Sequence, residues 1–123
     1  MKVTAEWAEQ TFDMYNEKYF QNRLKKPEFV LECDPGYFGY YRPHAVFDKW
    51  TRKITRVFSP GTLYLNARYT NRSEKQWTET LLHEMIHMYI NTVRKVYPRK
   101  DHGREFTELA DRLNEEGGWD IGK

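Results

Sequence analysis

Two histidines four residues apart, with a glutamate directly after the first, are the residues of this sequence best placed to do chemistry. They form an HExxH pattern, His83-Glu84-Met85-Ile86-His87. On an α-helix, positions i and i+4 share one face, about 6 Å apart along the axis. Two imidazoles so placed can converge on one zinc ion, with Zn–N bonds of about 2.0–2.1 Å. Glu84 then flanks the metal without ligating it, where a carboxylate can take a proton from metal-bound water.

A catalytic zinc takes three protein ligands and keeps one position open, so a third donor must come from elsewhere in the chain. One extended pattern, HExxHxxGxxH, is excluded, because Ile90 and Val93 stand where its Gly and His would be. A Glu from a later helix is another solution. Glu105, Glu108 and Glu115 are available, but none sits in the NExxSD context of such sites. His102 is favoured. It follows the loop after the motif, and Gly103 behind it relieves a tight turn back toward the metal. His44, beside Pro43, is a weaker candidate.

The motif needs a rigid helix, and the sequence supplies one. Ser73 and Gln76 have the spacing of a capping box. Trp77, Leu81, Met85 and Met88 then recur at helical spacing, and the helix is expected to reach Val93 or Val96, before Pro98. The Asn71-Arg72-Ser73 glycosylation pattern is read as this helix start. Upstream, Thr4 is a plausible N-cap for a first helix whose face carries Ala8, Phe12, Tyr15 and Tyr19 and which fades near Asn22. A last helix follows Gly103, buries Phe106, Leu109, Ala110 and Leu113, and ends at Gly117-Gly118.

The middle third reads as strands. Phe29-Val30-Leu31 runs into the turn signal Asp34-Pro35-Gly36. Tyr37 to Tyr41 is aromatic, and Lys53 to Phe58 alternates imperfectly. Ser59-Pro60-Gly61 is read as a turn before a strand at Thr62 to Asn66. The expectation is an α+β domain. It has an N-terminal helix, a small antiparallel sheet of three or four strands, the HExxH helix and a C-terminal helix.

Length and composition bound the rest. The chain has 123 residues, 16% of them aromatic, which suits one domain over 1–123 with a sizeable core. A net charge of +2 forces no partner class. Charge is nevertheless segregated. Residues 41–56 and 94–104 each carry five basic side chains against one acid, and residues 105–123 are net −4. Tyr40, Tyr41, Phe47 and Trp50 interleave with the first basic segment, as a stacking surface for single-stranded nucleic acid requires. Cys33 is the single cysteine. It can form neither an internal disulfide nor a CxxC site, and is expected as a small buried residue. The N-terminal MKVTAEWAEQ lacks an apolar core and no long apolar run follows, so the expectation is a cytoplasmic chain without a membrane span.

Taken together, His83-Glu84-Met85-Ile86-His87 and His102-Gly103-Arg104-Glu105-Phe106 resemble the HEMIH…HGxxF pairing of the SprT-like metalloprotease family. Tyr15 to Phe20 with Leu24, Gly61 to Asn66, and Thr80-Leu81-Leu82 before the motif are similar to that family too. The likeness runs from about Thr4 to Leu113. It implies a zincin-like fold, one zinc held by His83, His87 and His102, and Glu84 as catalytic acid/base. It implies a protein or peptide substrate, and in some members proteins crosslinked to DNA. Many members add a zinc ribbon with CxxC pairs. With Cys33 alone, the domain is expected without it.

The expected function is a zinc-dependent endopeptidase, a monomer, with DNA reached through segments 41–56 and 94–104. The alternative is a nucleic-acid-binding module whose zinc is structural or vestigial.

Overall fold

Thr4 opens helix α1, Ala5–Phe20, its side chain accepting the Trp7 N–H at 3.0 Å. The computed structural model describes residues 1–97 and 102–122. Residues 98–101, the middle of the basic segment 94–104, lie outside them. The α1 helix ends in two left-handed residues, Gln21 and Asn22, and the Asn22 N–H returns to the Asn16 carbonyl at 2.9 Å. The buried Asn16 side chain then brackets Leu24, donating to its carbonyl and accepting its N–H. That bracket aims the chain at the sheet.

Three strands follow: β1, Glu28–Glu32; β2, Gly39–Phe47; and β3, Ile54–Asn66. Their order is β1-β3-β2. β2 and β3 form an antiparallel hairpin, but β3 also pairs with β1 in parallel, Phe29 opposite Leu63 and Leu31 opposite Leu65. The sheet is therefore mixed, not antiparallel throughout. The reason is topological: β3 inserts between β1 and β2, so neighbours in sequence are not neighbours in the sheet. No local residue pattern signals that insertion.

Ser59-Pro60-Gly61 is not a turn either. β3 runs through it, and the ladder absorbs it as an irregularity. Pairing steps from Arg42–Thr62 to His44–Phe58, so one residue on β2, Pro43, faces three on β3. Proline cannot donate to a ladder, and a bulge is one of the few places where a strand tolerates it.

Ser73 and Gln76 form the expected capping box and start α2, Glu74–Met88. Its stripe, Trp77, Leu81, Met85 and Met88, is wholly buried against Phe12, Leu63, Leu65 and the final helix. Each such side chain contributes about 1.5–3 kcal/mol relative to exposure. Beyond Met88 the helix does not continue as α. It widens into one π-helical turn, Tyr89–Val93. The chain then reverses at Lys95, φ 56°, with the Val96 N–H bonded to the Ile90 carbonyl at 3.0 Å.

The last helix, α3, spans Arg104–Gly117 and buries Phe106, Leu109, Ala110 and Leu113, as its periodicity predicts. Gly118 closes it in the left-handed conformation. Cys33 is exposed rather than buried. It lies just past the end of β1, on the way into the Asp34-Pro35-Gly36 turn, where no element packs over it. Among the described residues, no helix is long and apolar enough to cross a membrane.

Candidate metal centre

His83 and His87 sit one turn apart on α2, and His102 reaches them from the residue pair that opens α3. Their ring nitrogens lie within 4.8 Å of one another, and His83 Nε2 is 3.1 Å from His102 Nε2. Tetrahedral zinc with Zn–N bonds near 2.05 Å separates its nitrogen ligands by about 3.3 Å. The cluster is thus nearly at ligating separation.

Its chemistry fits as well. The side-chain pKa of His87 is pushed down to about 3, first by burial and then by the neighbouring His83 and His102 imidazoles. His87 is therefore neutral at physiological pH, the form in which imidazole offers a lone pair to a metal. A three-histidine donor set suits zinc.

Phe106 supplies the floor of the cluster. Its ring centroid lies 4.7 Å from that of His83, 4.6 Å from His87 and 4.5 Å from His102. Phe106 is itself wholly buried on the inner face of α3. One apolar ring therefore limits the orientation of all three imidazoles.

Glu84 lies beside the triad, buried with only 6% of its surface exposed. Its Oε1 accepts the backbone N–H of Tyr41 at 2.9 Å, and its Oε2 lies 3.7 Å from His83 Nε2. Tyr41 is on β2, the edge strand of the sheet, whose alternation turns Tyr41 toward α2 and Tyr40 and Arg42 outward. The Tyr41 phenol is buried without a hydrogen-bond partner among the described residues, and burial pushes its pKa up to about 12, so it stays neutral.

The close approach of β2 to its neighbours depends on two glycines. A Cβ on Gly39 would lie 2.9 Å from the Tyr64 carbonyl and 3.1 Å from Thr80 of α2. A Cβ on Gly61 would lie 2.5 Å from the Arg42 carbonyl and 2.8 Å from the Tyr41 ring.

Two clefts meet at Glu84. One, of about 390 Å³, runs past His83 to Gly39, Arg72, Gln76 and Glu79. The other, of about 220 Å³, runs past His87 to Tyr41, Ile54, Asn91 and Tyr97. Glu84, between His83 and His87, thus has room on either side.

The residues singled out from the sequence separate cleanly. His83, Glu84, His87 and His102 come together. His44 does not: it lies on the outer, exposed face of β2 opposite Phe58. Glu108 pairs with Arg104 on the exposed side of α3, at 3.0 Å, and is not a ligand in this arrangement. Neither Glu105 nor Glu115 joins the cluster. Tyr41 escaped sequence reasoning as a site residue, because its contribution is a backbone N–H that carries no side-chain signature.

Aligned stretches of 52 and 50 residues resemble the DNA-dependent metalloprotease dvc-1 of Caenorhabditis elegans, 40% identical, and the DNA-dependent metalloprotease SPRTN of Rattus norvegicus, 42% identical. SPRTN of Mus musculus matches equally, at 42% over 50 residues. These stretches cover 41–42% of this chain but only 10–14% of the relatives' lengths. The SprT-like family model, in contrast, matches residues 8–121, from α1 through the triad to the end of α3. With nearly the whole chain matched, triad and Glu84 included, this protein belongs to the SprT-like family.

Proposed function

We propose that this chain is a zinc-dependent endopeptidase acting on proteins held on DNA. The observation that carries the reading is the convergence of three imidazole nitrogens within 4.8 Å over Phe106, with the Glu84 carboxylate held beside them by the Tyr41 N–H. Zinc held by His83, His87 and His102 would supply Lewis acidity, making water acidic enough to attack at neutral pH and polarising a carbonyl.

The chain's own groups do the rest. Tyr41 N–H fixes Glu84 Oε1, which leaves Oε2 facing the triad. Glu84 takes the proton of the attacking water and delivers it to the departing amine nitrogen. Water attack on the peptide carbonyl forms the C–O bond, and the C–N bond breaks as the amine leaves protonated. Burial of Glu84 keeps bulk water from competing for that proton. The two clefts on either side of Glu84 suit a chain cut in its interior. The DNA part of the reading draws on the relatives' names and on the basic segments.

The test is Glu84→Gln. The variant should keep about one zinc per chain and cut an unfolded protein substrate about 10²- to 10⁴-fold more slowly, with or without single-stranded DNA. Unchanged turnover would sink the mechanism. Intact DNA binding by a parent chain that cuts no protein would favour the alternative, a nucleic-acid-binding module with a structural zinc.

A further inference from the structure

A third cleft, of about 390 Å³, shares Tyr97 with the groove at Glu84. Arg23 and Lys25 line it from the chain after α1, Arg56 and Phe58 from β3, and Lys95 and Tyr97 from the segment after the π turn. Four cations and two aromatic rings thus meet from three segments widely separated in sequence. Among the described residues, no acidic side chain lines the cleft and none of the four cations forms an ion pair.

Rings hold the two arginines. Arg23 lies over the Tyr89 ring, 5.9 Å from its centroid, and its Nη1 reaches the Tyr89 hydroxyl at 3.4 Å. The Arg56 guanidinium lies over Phe58 at 4.5 Å. Lys95 occupies the left-handed position that closes a helix, where glycine is the usual residue.

We propose that this cleft binds single-stranded nucleic acid, with phosphates on Arg23, Lys25, Arg56 and Lys95 and a base against the exposed Phe58 ring. The inference rests on the DNA part of the reading above and gives that partner a place. Concentrated positive charge without counter-charge is the electrostatic footprint of a phosphodiester chain. The exposed Phe58 ring among the cations adds a stacking surface that duplex DNA, its bases already stacked, cannot use. Tyr97 belongs both to this cleft and to the groove at Glu84, so a strand bound here would run beside the metal centre.

The experiment is fluorescence anisotropy of a labelled fifteen-thymidine oligonucleotide on zinc-loaded protein between 50 and 200 mM salt. Four phosphate contacts give a slope of log affinity on log salt of about −2.8, a loss of about fifty-fold over that range. Arg23→Gln with Lys25→Gln should bring the slope to about −1.4 and the loss to about sevenfold. Phe58→Ala should weaken binding about tenfold with the slope unchanged. Lys2→Gln with Lys75→Gln removes two exposed cations elsewhere and should leave the slope near −2.8. Thermal melts check that each variant folds.

Equal slopes for the two charge-matched pairs would overturn the cleft as the site while leaving DNA binding in place. Tighter binding of a duplex than of the single strand would overturn the single-strand assignment. A parent chain that binds no oligonucleotide would overturn the cleft and the DNA reading together. The peptidase reading is judged separately, by Glu84→Gln.

Discussion

Replacing Gly61 by Ala tests whether the edge strand holds the base. The added methyl group would sit 2.5 Å from the Arg42 carbonyl oxygen and 2.8 Å from the Tyr41 ring. An ordinary carbon–oxygen contact is near 3.3 Å, so β2 must move by about 0.8 Å, and a backbone carbonyl cannot step aside as a side chain could. Tyr41 is the residue before Arg42, and its N–H holds Glu84 at 2.9 Å. A displacement of that size directed away from Glu84 takes the contact to about 3.7 Å, beyond a hydrogen bond. Hydrogen bonds to charged groups contribute about 1.5–3 kcal/mol, which translates into a rate about ten- to a hundredfold lower if the contact matters fully in the transition state. Overpacking should also destabilise the fold by about 1–3 kcal/mol. Zinc content should not change, because no triad residue touches Gly61. The assay is turnover of an unfolded protein substrate at saturating zinc, below the melting temperature, beside a zinc determination. Turnover within twofold of the parent in a destabilised variant would refute the idea that β2 positions Glu84.

Loss of one ligand should be far more costly to zinc than loss of a supporting contact. His102→Ala should weaken zinc by more than about a hundredfold, beyond the effect of an outer-shell partner, and elemental mass spectrometry on protein purified without added metal should read well under one zinc per chain. Phe106→Ala should lower stability by about 3–5 kcal/mol and weaken zinc as the imidazoles lose their floor, whereas Phe106→Leu should restore most of the stability. Unaltered zinc affinity in a folded Phe106→Ala protein, by competition with a chelating dye, would show that the ring only fills space. The metal-free chain should lose stability in acid. His87 is neutral when folded down to about pH 3, but in the unfolded chain it takes a proton near pH 6.5. The unfolded state therefore binds the extra proton. Its contribution is fully present above pH 6.5 and is lost as pH falls toward 3, by up to about 1.4 kcal/mol per unit. Urea melts at pH 7.5, 6 and 5 should record that slope, and His87→Gln should flatten it.

Much of the centre could be read from the sequence because helix geometry is local. Four residues of spacing put His83 and His87 on one face of α2, and the Ser73–Gln76 capping box and the apolar stripe from Trp77 to Met88 made that helix certain. The same locality exposed the ends of α1 and α3. Elements whose state depends on distant partners were misread. Pro60-Gly61 carries a turn signal, yet the pairing of β2 with β3 on both sides of it holds it in a strand. Parallel pairing of β1 with β3 leaves no local trace, because it is decided by which strand the chain inserts between. Cys33 looked like a small core residue until the fold left it at the end of an edge strand.

The sequence by itself therefore determined the candidate metal-binding helix and its two histidines, and through the HGxxF pairing it pointed to His102. Tertiary structure alone decided that the three nitrogens converge, that Phe106 lies beneath them and that a strand N–H grips Glu84. It alone gathered Arg23, Lys25, Arg56 and Lys95 into one cleft. Helical spacing fixes relative positions within one element whatever surrounds it. Contacts between segments dozens of residues apart exist only once the core has packed those segments against one another.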